Sequence, residues 1–303
     1  MRLVYSPRYE ADIGAHVFPT TKYRLVYERL IQDGTFSKED FVEPTPASDD
    51  DVLLVHTPDY VTKLKTGTLS EWEIMRLELP YSKALVESTF LCAEGSILTG
   101  RFAFEDGASV HLGGGFHHAF PDHGEGFCVL NDHSIAIRRL QKDGVIKKAL
   151  VVDCDLHQGN GTAFIFAGDD SVFTFSIHEQ NNYPAVKPPS DLDIGLRDGA
   201  GDEEYLNHLR NNIPRIIRDF KPDLLFYVAG ADPYENDQLG GLALTLEGLK
   251  ARDELVIGEG WKAGLPVAVV LAGGYALKLE DTVTIHANTA RVARDIIGKD
   301  RWQ

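Results

Sequence analysis

The chain has 303 residues, 43% of them hydrophobic and 25% charged, a balance that supports a sizeable core and argues against disorder. Its formal net charge of -16, with no basic stripe, argues against a nucleic-acid surface. Cys92, Cys128 and Cys154 are odd in number and form no C-x-x-C pair, which points to a reducing compartment. With no signal-peptide pattern and no apolar run long enough to span a bilayer, the expected location is the cytoplasm.

No stretch rich in Pro, Gly or Ser divides the chain, so residues 1–303 are expected to form one domain. A short strand at residues 2–5 leads into a polar loop in which His16 reads as structural. Leu25, Val26, Leu30 and Ile31 have helical spacing, which predicts a helix over residues 23–32. Residues 51–56 read as a short strand running into a helix at Pro58, and residues 82–98 as a longer helix closed by Gly100. An apolar strand at residues 109–112 enters Gly113-Gly114-Gly115-Phe116-His117-His118. Three glycines suit a sharp bend or a close approach to a ligand, and a His pair after such a turn is a candidate acid-base site. Asn131 or Asp132 can cap the next helix, which Gly144 ends; Phe127, before it, reads as core.

The most informative stretch is Ala149-Leu150-Val151-Val152-Asp153-Cys154-Asp155-Leu156-His157. Side chains alternate along a strand, so Asp153, Asp155 and His157 would share one face, while Cys154 and Leu156 take the other. Two carboxylates and an imidazole at a buried strand end need a cation or hydrogen bonds. Gly159-Asn160-Gly161-Thr162 lacks the third glycine and the lysine of nucleotide loops, and His178-Glu179 lacks the second histidine of H-E-x-x-H because Asn182 stands there. After a strand at residues 171–178, Asp202 is expected to cap a helix that Lys221-Pro222 ends. A strand at residues 224–228 runs into Ala229-Gly230-Ala231-Asp232, and one at 266–271 into Gly273-Gly274-Tyr275. The helix before that last strand starts near Thr245, and a final helix is expected over residues 282–297.

Alternation of strands and helices implies an α/β fold, three-layer α/β/α with a mainly parallel sheet, whose polar strand ends converge on one edge. Asp155, His157 and Asp232 then form a three-ligand set with an open position, as a catalytic metal requires. His117 and His118 supply acid-base groups and Tyr275 a neutral donor for an oxyanion, which together describe metal-assisted hydrolysis of an amide or ester.

The ordered motifs Leu53-Leu54-Val55-His56-x-x-x-Tyr60, His117-His118, Gly126-Phe127-Cys128-x-x-Asn131, Asp153-x-Asp155-x-His157, Ala229-Gly230-Ala231-Asp232 and Gly273-Gly274-Tyr275 resemble the histone deacetylase superfamily over most of the chain. His157-Gln158-Gly159-Asn160-Gly161 and Asp237-Gln238-Leu239-Gly240-Gly241-Leu242 resemble its class IV branch. The resemblance implies an arginase-deacetylase fold with zinc, or iron(II), on Asp155, His157 and Asp232. It implies that Asp153 orients His117, that His118 takes the proton from zinc-bound water, and that Tyr275 polarises the acyl carbonyl. Gly126, Phe127 and Tyr183 would then bind the acyl-lysine stem, in place of a core role for Phe127. A potassium ion beside the strand would involve Asp153, Asp155, His157 and Ser176. The implied substrate is an acylated lysine in a peptide or protein, or a small acylated amine such as an acetylpolyamine. An arginase-like binuclear hydrolase and a non-catalytic acyl-lysine binder are the other readings of the same residues. In two places the chain departs from the family pattern. Gln158 replaces a second His, and Asn160 stands where many members place an Asp beside the second active-site His. The missing carboxylate should let the neutral, base-competent form of His118 persist to lower pH.

Overall fold

The computed structural model describes residues 1–298, so the final part of the expected 1–303 domain lies outside the described residues. Eight parallel strands form one sheet in the order β2-β1-β3-β8-β7-β4-β5-β6. They are β1 Leu3–Val4, β2 Phe41–Val42, β3 Ala108–His111, β4 Ala149–Asp153, β5 Val172–Glu179, β6 Leu192–Leu196, β7 Leu224–Val228 and β8 Val267–Val270. The helices are α1 Lys22–Gln32, α2 Asp49–Val52, α3 Pro58–Thr66, α4 Glu71–Leu77, α5 Lys83–Asp106, α6 Asp132–Lys142, α7 Asn160–Ile165, α8 Asp202–Phe220, α9 Leu246–Lys262 and α10 Leu279–Ile297. Helices α5 and α6 pack together, while α1, α10, α9 and α8 pack in succession, completing the three layers of the α/β/α arginase-deacetylase fold. The central strands β7 and β8, and β4 up to Asp153, are apolar because both sheet faces are covered there: Val151, Phe226 and Val269 are essentially inaccessible, as is Val110 of β3.

Register is what positions the site. His111 pairs with Val270, Val270 with Val228, and Val228 with Asp153, so β3, β8, β7 and β4 end in one row. The four polar segments read from the sequence therefore leave the sheet side by side at its carboxyl edge.

Several local expectations differ from the structure. Residues 51–56 form no strand; Ser48 accepts from Asp51 N at 3.2 Å and opens the short α2, whose Asp49, Asp50 and Asp51 suit a helix N-terminus. Helix α5 does not stop at Gly100 but runs to Asp106. A Cβ on Gly95 would lie 2.5 Å from His111 Nε2, and one on Gly100 would lie 2.6 Å from Leu140 Cδ1. These glycines permit close packing inside a helix rather than ending it. Asp202 is not the N-cap of α8, which is Gly201; its carboxylate instead accepts from Thr245 N and Oγ1 at 2.9 and 2.7 Å, joining the starts of α8 and α9.

Candidate active site

Asp155 and His157 follow β4, and Asp232 follows β7, the strand paired with it. His157 Nδ1 lies 3.2 Å from Asp155 Oδ1 and 3.4 Å from Asp232 Oδ2, and one ligand atom from each residue lies within 4.8 Å of the others. Backbone amides fix the remaining oxygens: Leu156 N donates to Asp232 Oδ1 at 3.0 Å and Gly273 N to Asp155 Oδ2 at 2.8 Å. Asp232 Oδ2 is buried with no hydrogen-bond partner. A buried carboxylate oxygen left in that state is costly unless a cation completes it, and two carboxylates plus an imidazole fit a divalent metal. Among the described residues, one such group occurs. Burial pulls the His157 pKa down, but the Asp155 and Asp232 carboxylates beside its Nδ1 outweigh it and push the value to about 10 in the metal-free protein. The Asp232 carboxyl is raised, by burial first and by the Asp155 charge second.

The histidine pair follows the turn after β3. Gly114 and Gly115 have φ of +71° and +77°, a left-handed conformation that side chains disfavour, and a Cβ on Gly115 would meet Ala272 Cβ at 2.6 Å. Asp132, fully buried, pins this turn by accepting from Gly115 N and Phe116 N at 3.1 and 2.8 Å. His117 Nδ1 bonds Asp153 Oδ2 at 2.7 Å, while its Nε2 lies 3.6 Å from Asp155 Oδ1. Burial lowers the pKa of His117, yet Asp153 and Asp155 lift it to about 9. His118 Nδ1 bonds Asn160 Oδ1 at 2.7 Å. Burial, then the neighbouring His117 and His157 charges, hold its pKa well below the ordinary imidazole value.

A narrow cavity runs to these groups, lined among others by Phe18, Gly126, Phe127, Ala272 and Tyr275. Phe127 takes φ of +67°, strained for an aromatic residue, and its ring lies parallel to Phe18 with centroids 6.1 Å apart and meets Tyr275 edge-on at 6.0 Å. Phe127 is thus cavity wall, not interior core. Tyr183 stands behind Gly126, where a Cβ would meet its Cε1 at 2.9 Å, and is edge-on to His118 at 4.9 Å. Tyr275 N donates to Asp237 Oδ2 at 2.7 Å, and burial, followed by the Asp232 and Asp155 charges, raises its phenol well above the usual range. It therefore stays a neutral donor at ordinary pH.

Every site residue read from the sequence thus lies at this sheet edge. Ser176 sits beside Asp153 in register across β4 and β5, with its hydroxyl on His178 Nδ1 at 2.9 Å. His16, expected to be structural, accepts from Phe18 N through Nδ1 at 3.0 Å and meets Phe127 edge-on at 4.9 Å, so it supports the wall. The sequence reading gave no site role to Phe18, Lys22, Asp237 or Glu125. Lys22 is fully buried and donates to Ala272 O at 2.7 Å below the cavity. Glu125 was detectable only as a lone charge between Gly124 and Gly126.

A parallel α/β sheet with a three-donor cluster, two histidines and a tyrosine at its carboxyl edge defines a hydrolase acting on amide bonds. Residues 16–290 match the histone deacetylase domain, and the chain belongs to that family. It is 44% identical to an uncharacterized protein of Picosynechococcus, over 97% of this chain and 98% of that one. It is 32% identical to a probable deacetylase of Methanothermobacter thermautotrophicus, over 91% and 86% of the two chains. The crystal structure of the HDA15 HD domain matches with a TM-score of 0.80 at 23% identity, covering 99% of this chain and 91% of that one, which supports the shared fold.

Proposed function

We propose that the whole chain is one catalytic domain, a zinc-dependent deacylase of the class IV type. It would remove acetyl or longer acyl groups from the side-chain amine of lysine in peptides or proteins. The observation carrying this reading is the placement of the Asp155, His157 and Asp232 donors within 4.8 Å of one another, at the end of a cavity walled by Phe127 and Tyr275. Zinc, or iron(II) in its place, would be held by Asp155, His157 and Asp232 and supplies Lewis-acid polarisation of the acyl carbonyl when bound. Asp153 keeps His117 oriented through Nδ1. His118, neutral and with Nδ1 committed to Asn160, offers Nε2 to take a proton from the attacking water. Tyr275 donates to the oxygen on which negative charge develops. Gly126, Phe127 and Tyr183 hold the extended lysine stem. Potassium beside Asp153, Asp155, His157 and Ser176 would steady the ligand strand. Three free, buried thiols, Cys92, Cys128 and Cys154, favour the cytoplasm. The test is a panel of lysine peptides bearing acetyl to long fatty acyl groups, run beside acetylated polyamines with the zinc-loaded protein. Turnover of acyl-lysine peptides is expected; turnover confined to the polyamines would overturn the substrate class, and turnover of neither would overturn the activity.

A further inference from the structure

We propose that Glu125 is the positioning residue that sets the orientation of the Asn160 amide, and through it the tautomer of His118. The inference rests on the proposed role of His118 as proton acceptor, and it concerns a residue that neither metal nor substrate stem requires. An asparagine amide can turn either its oxygen or its NH2 toward a neighbour, with opposite consequences for an imidazole. An ionised carboxylate can only accept. Glu125 Oε1 lies 2.5 Å from Asn160 Nδ2, so the NH2 is held there and Oδ1 is left facing His118 Nδ1 at 2.7 Å. His118 Nδ1 must then carry the hydrogen, and Nε2 keeps the lone pair that a base needs.

Glu125 is itself held in place and 6% exposed. Its Oε2 takes Arg76 Nε at 2.7 Å and Arg76 Nη2 at 2.6 Å, His123 Nε2 lies 3.4 Å away, and Oε1 also accepts from Tyr183 OH at 3.1 Å. Burial alone would raise its pKa, but these partners and Asn160 bring it to about 2, so it remains an ionised acceptor. The charge is answered by Arg76 on α4 rather than by His118. This arrangement also accounts for Asn160 itself. A carboxylate at position 160 would face Glu125 at hydrogen-bond distance with no proton between them, so given Glu125, the amide is the compatible partner for His118. Tyr183, the tunnel wall, is tied to the same carboxylate.

The test moves the carboxylate along this chain of bonds without changing its length. In Glu125→Gln, Arg76 demands the acceptor oxygen, so the new amide presents NH2 to Asn160. Asn160 then flips and turns its own NH2 toward His118 Nδ1, which favours the tautomer protonated on Nε2. Turnover should fall about tenfold to a hundredfold, within the range that a general base contributes, with metal content unchanged. Adding Asn160→Asp should restore most of that turnover, because the carboxylate introduced at position 160 accepts both from the amide at position 125 and from His118 Nδ1. Asn160→Asp alone should lose activity, since it opposes two carboxylates. A residue that merely braces the fold would give no such rescue. Parent-like turnover in Glu125→Gln at equal metal content, or a double variant no better than the single one, would overturn the proposal. Isotope-labelled histidine NMR reads the His118 tautomer without turnover, so it judges Glu125 even if no acyl substrate is cleaved, the outcome that would instead defeat the proposed activity.

Discussion

Replacing Tyr275 by phenylalanine should lower turnover while leaving fold, substrate affinity and metal uptake nearly as they are. One donor aimed at charge that develops in the transition state contributes about a hundredfold to a thousandfold in turnover, or about 3–4 kcal/mol. The structure limits what else the substitution can disturb. The ring is held edge-on to Phe18 and Phe127 at 6.3 and 6.0 Å, contacts that phenylalanine keeps. The position is fixed by the backbone, through Tyr275 N on Asp237 Oδ2 and Gln238 Nε2 on Tyr275 O at 2.8 Å, which the change does not touch. Among the described residues no protein group bonds the phenol, so none is orphaned, and a stability change well under about 1 kcal/mol follows. Steady-state kinetics on an acyl-lysine peptide, metal analysis and a thermal scan on one preparation test all three claims. Activity within a fewfold of the parent at equal metal content would make Tyr275 a packing residue and refute its role as donor.

Asp155→Ala and Asp232→Ala should each reduce metal occupancy and abolish hydrolysis, because three protein ligands leave no redundancy; full metal content in a folded Asp232→Ala protein would remove Asp232 from the site. Cys154→Ala should retain metal and activity at a cost of about 1 kcal/mol in stability, since burial pushes the thiol up to about 12 and Cys154 is not among the three donors grouped after β4 and β7. Loss of metal from a folded Cys154→Ala variant would make Cys154 part of the site. Metal uptake should release protons and tighten as pH rises. Metal-free His157 has its pKa raised from 6.5 to about 10, so the folded apo state carries an extra proton between those values. A metal must displace that proton, and the stability that the proton confers is present below 6.5 and lost as pH rises through about 10. Titration calorimetry in two buffers of different ionisation heat measures the release, and a proton count of zero near neutral pH would show that His157 is already neutral.

The chemistry was legible in the sequence because parallel strands leave so little freedom. Once residues 149–153 read as a buried parallel strand, the Asp155 and His157 that follow must leave its carboxyl end, and right-handed crossovers bring the ends of β3, β4, β7 and β8 to one edge; β4 ends at Asp153, so the alternation expected through His157 does not continue as strand. What was not legible follows from contacts that carry no local signal. Strands β2 and β6 were missed because β2 is only Phe41 and Val42 set between Asp40 and Glu43, and β6 interleaves Asp193 and Gly195 with apolar positions at an edge. Helix α4 was missed because Trp72 and Met75, its largest apolar side chains, face solvent, so its pattern does not mark a buried stripe. The glycines of α5 have the same letter as a helix stop, and only the presence of His111 and Leu140 against them makes them packing sites. The positioning of His118 is the furthest from sequence. Glu125 and Asn160 are 35 residues apart, one in a loop and the other at the start of α7, and their relative placement depends on the finished sheet. Sequence could locate the imidazole at the edge of the sheet; which of its nitrogens carries the hydrogen is decided by a carboxylate two bonds away.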